Sequence, residues 1–241
     1  MSERTIALVT GANKGIGYEI AAGLAALGWR VGVGARDAHR RETAVEKLRA
    51  AGADAFGVPL DVTDDASAAA AAELLAERFG GLDVLVNNAA IAGGPPQTPS
   101  TVGPATVRAV VETNVLGVVR VTNAMLPLLR RSASPRIVNM SSSLGSLALQ
   151  TAPGAGMGPV PAAYAASKTF LNAVTVHYAK ELGAAGILVN CACPGFTATD
   201  LNGFRGVRTP RQGAAIAIRL ATLPDDGPTG GFFDDGGAVP W

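Results

Sequence analysis

The sequence predicts a single α/β domain built on a doubly wound parallel sheet of seven strands, with helices on both faces. Three observations support this fold class. Short apolar runs rich in Val, Ile and Leu alternate with longer amphipathic stretches. The length of 241 residues suits one large domain, and neither a linker nor a fixed repeat divides it. Charged residues make up only 16% of the chain, against about 25% in a typical soluble protein, which favours a large buried core.

The predicted strands are short apolar runs that lie between turn residues. Strands of a parallel sheet are buried on both faces, so they are continuously apolar rather than alternating. The seven strands in chain order are Thr5 to Thr10, Arg30 to Ala35, Ala55 to Leu60, Val84 to Asn87, Arg136 to Met140, Ile187 to Ala192 and Gly231 to Phe233.

Five helical patterns lie between these strands. Asp64 and Asp65 precede the third, where carboxylates meet the positive end of the helix dipole. Two stretches, Ala92 to Gly103 and Ala148 to Pro161, have no regular pattern. The helices are predicted over Ile16 to Leu27, Ala38 to Ala51, Ala66 to Phe79, Pro104 to Arg131 and Ala162 to Leu182.

Composition excludes several classes of protein. A net charge of +1 offers no basic patch for nucleic acid or a membrane surface. The apolar run Ile6 to Val9 is too short for a signal peptide, and the uncharged stretch Ile137 to Ser167 holds too much Ser, Gly and Pro to span a membrane. Cys191 and Cys193 lie two apart in a strand, which strains a disulfide. We therefore expect a cytoplasmic protein with two buried thiols and no metal site.

A glycine-rich turn follows the first strand and leads into a helix. Its sequence is TGANKGIG, from Thr10 to Gly17. Glycines let the backbone approach a pyrophosphate, whose charge is met by free amides at the helix N-terminus. The alternative is a tight turn without a ligand. The candidate residues are Gly11, Asn13, Lys14, Gly15, Ile16 and Gly17.

The end of the second strand indicates which dinucleotide binds. A fold of this type usually carries an acid there for the NAD ribose, but this chain has Arg36. Lys14 reaches the same side, so the two cations are suited to a 2′-phosphate, and NADPH is the predicted cofactor. Two alternatives stay open. In the first, Arg36 only forms, with Arg40 and Arg41, the charged and solvated start of the next helix. In the second, Asp37 binds the ribose of NAD.

Tyr164 and Lys168 are four residues apart in a helical pattern, so their side chains share one face. A phenol with a pKa near 10 exchanges protons poorly at neutral pH. A nearby ammonium favours the phenolate and is expected to lower the pKa of Tyr164. The pair therefore predicts acid–base chemistry.

Further polar residues follow predicted strands at the edge where parallel sheets bind ligands. Asn87 to Ala90 follow the fourth strand, and the segment Asn139 to Gly145 runs from the end of the fifth. Asn114 lies inside a helical pattern, where an amide is unfavourable unless it has a partner. Taken singly, each of these residues is also explained by turn formation or capping.

Taken together, these motifs resemble the short-chain dehydrogenase/reductase family across nearly the whole chain. Within the family the sequence is most similar to the NADPH-dependent carbonyl reductases. The resemblance implies one Rossmann-type catalytic domain over residues 1–241. The residues that carry it are Thr10 to Gly17, Asp61 and Val62, Asn87 to Ala90, Asn114, Ser142, Tyr164, Lys168 and Pro194 to Asp200.

The resemblance also implies the catalytic roles. Tyr164 is expected to protonate the substrate oxygen, and Ser142 to donate a hydrogen bond to it. Lys168 is expected to tune Tyr164 and to hold the nicotinamide ribose, and Asn114 to position a water beside Lys168. Toward the cofactor, the resemblance implies Asp61 and Val62 at the adenine, Asn88 at the adjacent ribose, and Thr197 and Thr199 at the carboxamide. It adds Ala89, Pro194 and Gly195 as further cofactor-binding residues.

The activity so implied is NADPH-dependent reduction of a ketone or aldehyde to the alcohol. Three alternatives remain: a 3-oxoacyl or polyketide ketoreductase, an alcohol dehydrogenase working in the oxidative direction, and a regulator that binds NADPH without catalysis. The expected partner is a small carbonyl compound. The outer face of the predicted helix Ala162 to Leu182 carries a stripe of small and apolar residues: Ala166, Phe170, Ala173 and His177. This stripe favours a homodimer or homotetramer, unless the Ala148 to Pro161 segment buries it.

Two segments bear on the substrate pocket. Ala148 to Pro161 is either a roof over the active site, with Met157 as an apolar contact, or a surface insertion. The chain between Asp200 and Pro210 is short where many relatives have a lid, which predicts an open pocket. Ala90 replaces the last glycine of the family's Asn-Asn-Ala-Gly and adds a methyl group near the cofactor.

Overall fold

A computed structural model describes residues 4–95, 97–154 and 160–241 of the chain. The strands form one sheet in the order β3-β2-β1-β4-β5-β6-β7-β8. All neighbours are parallel except β7 and β8, which pair antiparallel. The strands are β1 Ile6–Thr10, β2 Arg30–Ala35, β3 Asp54–Pro59, β4 Val84–Asn87, β5 Arg136–Met140, β6 Leu188–Ala192, β7 Phe232–Asp234 and β8 Gly237–Ala238.

The predicted sheet of seven parallel strands is therefore corrected to eight strands with an antiparallel edge. β8 has only two residues, too few for an apolar pattern in the sequence. A tight turn reverses the chain before it. In that turn the Gly236 amide donates to Asp234 Oδ1 at 2.8 Å, and Gly237 has a φ of +128°. Only glycine adopts that backbone conformation readily.

The five predicted helical regions are present, with ends that differ by at most a few residues, and two further helices, α6 and α8, were not predicted. α8 begins with a capping box in which Thr209 and Gln212 satisfy each other's backbone amides. That signal is present in the sequence and was missed. The α-helices are α1 Gly15–Ala26, α2 Ala38–Ala50, α3 Asp65–Phe79, α4 Pro104–Val111, α5 Gly117–Leu129, α6 Leu147–Thr151, α7 Ala162–Leu182 and α8 Pro210–Ala221.

The long helix predicted over Pro104 to Arg131 is interrupted. A π-helical segment, Glu112–Leu116, joins α4 to α5 and contains Asn114. Such segments insert one extra residue into a helical turn and occur often at functional sites. The hydrophobic pattern did not reveal it, because a segment of five residues is too short to show a periodicity of its own.

The core lies in two layers, one on each face of the sheet. On β1, Ala7 and Val9 pack with α1, α2 and α8, whereas Leu8 between them packs with α3, α5 and α7. All three residues are fully buried. This alternation explains why the strand is apolar at every position. Within the described residues, no helix is both long and apolar enough to cross a membrane.

β1 lies between β2 and β4, so the chain reverses its direction of travel across the sheet there. In open α/β sheets ligands bind outside the carboxyl ends of the strands at such a reversal. The residues that follow β1 and β4 are the glycine-rich turn and the segment from Asn88 onward. The topology thus brings two of the predicted motifs to one edge.

Candidate active site

A cleft of about 810 Å³ lies at the carboxyl edge of the sheet. The glycine-rich turn and Arg36 line one end of it, and Tyr164 and Lys168 line the other. We refer to these as the phosphate end and the reaction end. Most of the predicted site residues lie on its wall: Gly11, Asn13, Lys14, Gly15, Ile16, Gly17, Arg36, Asp61, Val62, Asn88, Ala89, Tyr164, Lys168, Pro194 and Thr199.

At the phosphate end, α1 begins at Gly15 without any side chain capping its amides. Gly11 and Gly15 have φ values of +63° and +59°, which suit glycine. A Cβ on Gly17 would lie 2.5 Å from both Gly11 O and Asn88 Nδ2, so the turn tolerates only glycine there. Free amides at a helix N-terminus attract an anion. The arrangement therefore fits the pyrophosphate of a dinucleotide.

Asn88 joins the glycine-rich turn to the end of β4. Its backbone amide donates to Thr10 Oγ1 at 2.9 Å, and its Nδ2 donates to Thr10 O at 2.9 Å. The Ala89 amide also donates to Thr10 Oγ1, at 3.0 Å. These bonds hold the two walls of the cleft together. The Asn88 side chain is therefore engaged with the protein itself.

Each predicted phosphate-binding cation faces a carboxylate. Lys14 Nζ lies 2.5 Å from Asp200 Oδ2, and both side chains are about half exposed. Arg36 is 75% exposed and lies 4.0 Å from Asp61 Oδ2. Asp37 caps α2 by accepting a hydrogen bond from the Arg40 amide, and this bond lowers the pKa of its carboxyl. Asp37 is thus engaged as the cap of α2, and Arg36 is the more exposed charged side chain at this strand end.

At the reaction end, Tyr164 and Lys168 lie on the first turns of α7. Lys168 is 3% exposed, and its Nζ donates to Met140 O at 2.7 Å. The same ammonium lies 5.5 Å from the centre of the Tyr164 ring. The predicted shared face is therefore present, and the end of β5 anchors the lysine.

The pKa of Tyr164 differs from the expectation. Burial raises it to about 12, and the Ser142 side chain opposes this only in part. Burial lowers the pKa of Lys168 to about 8. Burial penalises a charge on either side chain, and this effect outweighs the attraction between phenolate and ammonium. The correction matters chemically, because a neutral phenol is the form that donates a proton.

Ser142 lies in a turn packed on α7. Its Oγ accepts a hydrogen bond from the Leu144 amide at 3.2 Å. Gly145 closes the turn, and a Cβ there would lie 2.7 Å from the backbone of Lys168. The absence of a side chain at Gly145 is what lets the serine turn approach the helix that carries Tyr164.

Asn114 is fully buried behind the cleft wall. Its side chain exchanges two hydrogen bonds with the backbone of Ile91, at 2.9 Å each, and donates to Ser167 Oγ at 3.0 Å. Ser167 in turn donates to Tyr164 O at 2.7 Å. Asn114 thus links the segment after β4 to the first turn of α7, which explains an amide inside a helical pattern.

Thr197 is not brought to the cleft. It is 4% exposed, and its Oγ1 donates to Pro194 O at 3.1 Å. A Cβ on Gly213 would lie 2.5 Å from that Oγ1, so the threonine is packed beneath α8. Packing against α8, which was not predicted, is the physical reason that this side chain does not line the cleft. Thr199 does line the cleft.

Several wall residues were not predicted, including Thr113, Met140, Ser141, Asp200 and Leu201. Met140 and Ser141 adjoin the predicted Ser142, and Asp200 and Leu201 follow Thr199 directly. Their position next to motif residues was the available signal.

The predicted Ala148 to Pro161 segment is partly helical, since α6 occupies its start. Met157 lies outside the described residues. The chain end packs beside α6, where the Ala148 amide donates to Trp241 O at 2.9 Å. The Trp241 ring stacks on Phe232 with centroids 5.5 Å apart. Cys191 and Cys193 are buried free thiols, as expected.

Comparisons with known proteins agree with this geometry. A family model described as short chain dehydrogenase matches residues 5–207. Short-chain dehydrogenase/reductase 1 of Saponaria officinalis is 34% identical over 298 aligned residues, covering 100% of this chain and 97% of that protein. Carbonyl reductase (NADPH) 1 of Mus musculus is 33% identical over 280, covering 100% and 99%. The NADPH-bound carbonyl reductase structure from chicken fatty liver has a TM-score of 0.86 at 29% identity, covering 99% and 100%.

Proposed function

The chain belongs to the short-chain dehydrogenase family of oxidoreductases, and from that premise we propose that it reduces a ketone or aldehyde with NADPH. The whole chain forms one catalytic domain in this proposal. The observation that carries it is the partly buried phenol of Tyr164 beside Lys168 on α7, at one end of a cleft whose other end suits a dinucleotide phosphate.

NADPH is the cofactor that suits the phosphate end. The uncapped amides of α1 would hold the pyrophosphate, and Arg36 with Lys14 would hold the 2′-phosphate. Asp37 is occupied as a helix cap, which argues against NAD. Asp61, Val62, Asn88 and Ala89 line the wall where adenine and its ribose would lie. When bound, NADPH supplies a hydride to the carbonyl carbon.

Tyr164 donates the proton that completes the alcohol. Its raised pKa keeps the hydroxyl protonated at neutral pH, so a donor is ready when negative charge develops on the substrate oxygen. The Ser142 hydroxyl donates a second hydrogen bond to that oxygen. Both groups act through positions fixed before substrate arrives, because the serine turn packs directly on α7.

Lys168 assists Tyr164 and binds the nicotinamide ribose. Its ammonium donates to Met140 O, and ribose hydroxyls would take up its remaining donors. With a pKa lowered to about 8, it can pass a proton toward Tyr164 after turnover. Asn114 fixes the backbone beside this pair through its bonds to Ile91 and Ser167, and in this proposal a water beside it returns the proton.

The α7 stripe of Ala166, Phe170, Ala173 and His177 is exposed in the single chain, with Phe170 half exposed. An exposed apolar stripe on a catalytic helix supports a homodimer or homotetramer.

The test is NADPH oxidation with a panel of ketones, aldehydes, quinones and 3-oxoacyl thioesters, repeated with NADH. Tyr164→Phe should lower kcat at least about 100-fold, the usual contribution of a general acid, with NADPH affinity nearly unchanged. Tyr178→Phe is the matched control. Tyr178 also lies on α7 and also has a pKa raised to about 12 by burial, but its hydroxyl donates to Asn123 away from the cleft.

Retained turnover in Tyr164→Phe would contradict the assigned acid. Turnover restricted to 3-oxoacyl thioesters would identify an acyl ketoreductase. Turnover only of alcohols with NADP⁺ would mean that the enzyme works as an alcohol dehydrogenase, opposite to the proposed direction. NADPH binding without any turnover in either direction would support a regulator.

A further inference from the structure

Asn172 lies on α7, one helical turn beyond Lys168, and is 4% exposed. Its Oδ1 accepts a hydrogen bond from Ser141 Oγ at 2.6 Å. Its Nδ2 donates to Gly145 O at 3.2 Å. The Asn172 side-chain amide therefore binds two residues of the segment that follows β5, one through its oxygen and one through its nitrogen.

These two partners bracket Ser142. Ser141 precedes it directly, and Gly145 ends the short turn that follows it. The Ser141 amide donates to Ala192 O at 2.8 Å, which ties the start of the turn to β6. Gln150 on α6 donates to Leu144 O at 2.6 Å, and two bonds are internal to the turn, from Gly145 N to Ser142 O and from Leu144 N to Ser142 Oγ. Asn172 supplies the side-chain bonds by which α7 holds both ends of the turn.

We propose that Asn172 is a positioning residue that fixes the Ser142 hydroxyl relative to Tyr164 by clamping both ends of the serine turn to α7. This inference rests on the proposed function, because it concerns the alignment of that reaction. Displacement of a reacting group by about 1 Å can cost about 100-fold in rate. The clamp acts through Ser142 and does not touch the substrate.

Only an amide satisfies both contacts. A carboxylate would accept from Ser141 but could not donate to Gly145, and alanine would leave the Ser141 hydroxyl and the Gly145 carbonyl without this partner. Unpaired buried polar groups are costly, so the turn would shift to reach water or other partners. The consequence is a loosened serine turn on an otherwise folded helix.

The first test is a double-mutant cycle. Asn172→Ala should lower kcat about 10- to 100-fold, with KM for NADPH within about twofold of wild type. In the Ser142→Ala background the same substitution should lower kcat by less than about twofold, since no serine hydroxyl remains to be positioned. An equal loss in both backgrounds would overturn the proposal. Ser141→Ala removes one of the two contacts and should give an intermediate loss.

Thr175→Ala is the control. Thr175 is fully buried on the same helix, with its hydroxyl bonded to Leu171 O and to Asn139, away from the serine turn. It should lower the melting temperature but change kcat by less than about twofold. A kcat loss in Thr175→Ala equal to that in Asn172→Ala would mean that the effect is general destabilisation.

Hydrogen exchange of the cofactor-free protein gives a second readout that does not depend on turnover. In Asn172→Ala, the Leu144, Gly145 and Ser146 amides should exchange at least about 10-fold faster than in wild type. In Thr175→Ala, their exchange rates should not change. Unchanged exchange of these amides in Asn172→Ala would overturn the clamp. A wild-type protein without turnover would contradict the proposed function, and faster exchange would still support the clamp.

Discussion

The two ends of the cleft are built on opposite principles. At the phosphate end the functional groups are charged, at least half exposed and close to carboxylates, as Lys14 is to Asp200 and Arg36 is to Asp61. At the reaction end, Lys168 is buried and its ammonium is bonded to a backbone carbonyl rather than to an acid. In the proposed function, one end recognises the cofactor and the other transfers a proton.

The difference shows what solvent does to a charge. Water screens the exposed cations, so each ion pair contributes little and is easily exchanged for a ligand's phosphate. Burial removes that screening, and the pKa of Tyr164 rises to about 12 while that of Lys168 falls to about 8. We therefore expect large catalytic effects at the reaction end and smaller, salt-dependent binding effects at the phosphate end.

Replacing the buried ammonium should have the largest effect. Lys168→Met should lower kcat about 100- to 1,000-fold, because it removes the group that serves Tyr164. The same change should stabilise the cofactor-free protein at pH 7. Lowering the pKa from 10.5 to about 8 corresponds to about 3 kcal/mol of destabilisation by the buried charge. Loss of the bond to Met140 O offsets part of this gain, which leaves about 1–2 kcal/mol.

The pH dependence of that gain tests its cause. Between pH 8 and 10.5 the unfolded chain holds the lysine proton more strongly than the folded protein does, so wild-type stability rises with pH in that window. Denaturant titration should therefore show the advantage of Lys168→Met shrinking from pH 7 to pH 10. A constant difference would contradict a buried ammonium.

At the phosphate end, Arg36→Ala should raise KM for NADPH about 10- to 100-fold, the equivalent of one charge-assisted contact to a phosphate, and change KM for NADH by less than about twofold. Arg211→Ala is the control, because Arg211 is exposed at the start of α8 and outside the cleft wall. Steady-state kinetics with both cofactors measures the difference. Equal effects on NADPH and NADH would mean that Arg36 does not bind the 2′-phosphate.

The smallest effect is expected from Asp200→Asn, which releases Lys14 from its carboxylate partner. KM for NADPH should fall about two- to fivefold, as expected for an exposed ion pair worth less than about 1 kcal/mol. Salt near 1 M should abolish the difference in KM between wild type and Asp200→Asn, because dissolved ions screen the attraction between Lys14 and Asp200. A higher KM for NADPH in Asp200→Asn would instead show that the pair closes over bound cofactor.

Much of the fold was predictable because its signals are local. The buried strands and the α7 pattern over Ala162 to Leu182 appear as periodicity within a few residues, and the helix has those bounds in the structure. The edge strand β8 was too short to give such a signal. α8 begins with a capping box, a local signal, but only the packing of α8 on Thr197 shows that this side chain points away from the cleft.

The sequence by itself determined the order of elements, the glycine turn before α1, and the pairing of Tyr164 with Lys168 on one helical face. Each of these depends on residues that are close in the chain. Only the tertiary structure decided that Asp200 pairs with Lys14, that Asn172 is hydrogen-bonded to both Ser141 and Gly145, and that the pKa of Tyr164 rises rather than falls. Those outcomes depend on how distant segments pack and how much water they exclude, and desolvation is a property of the whole fold rather than of a motif.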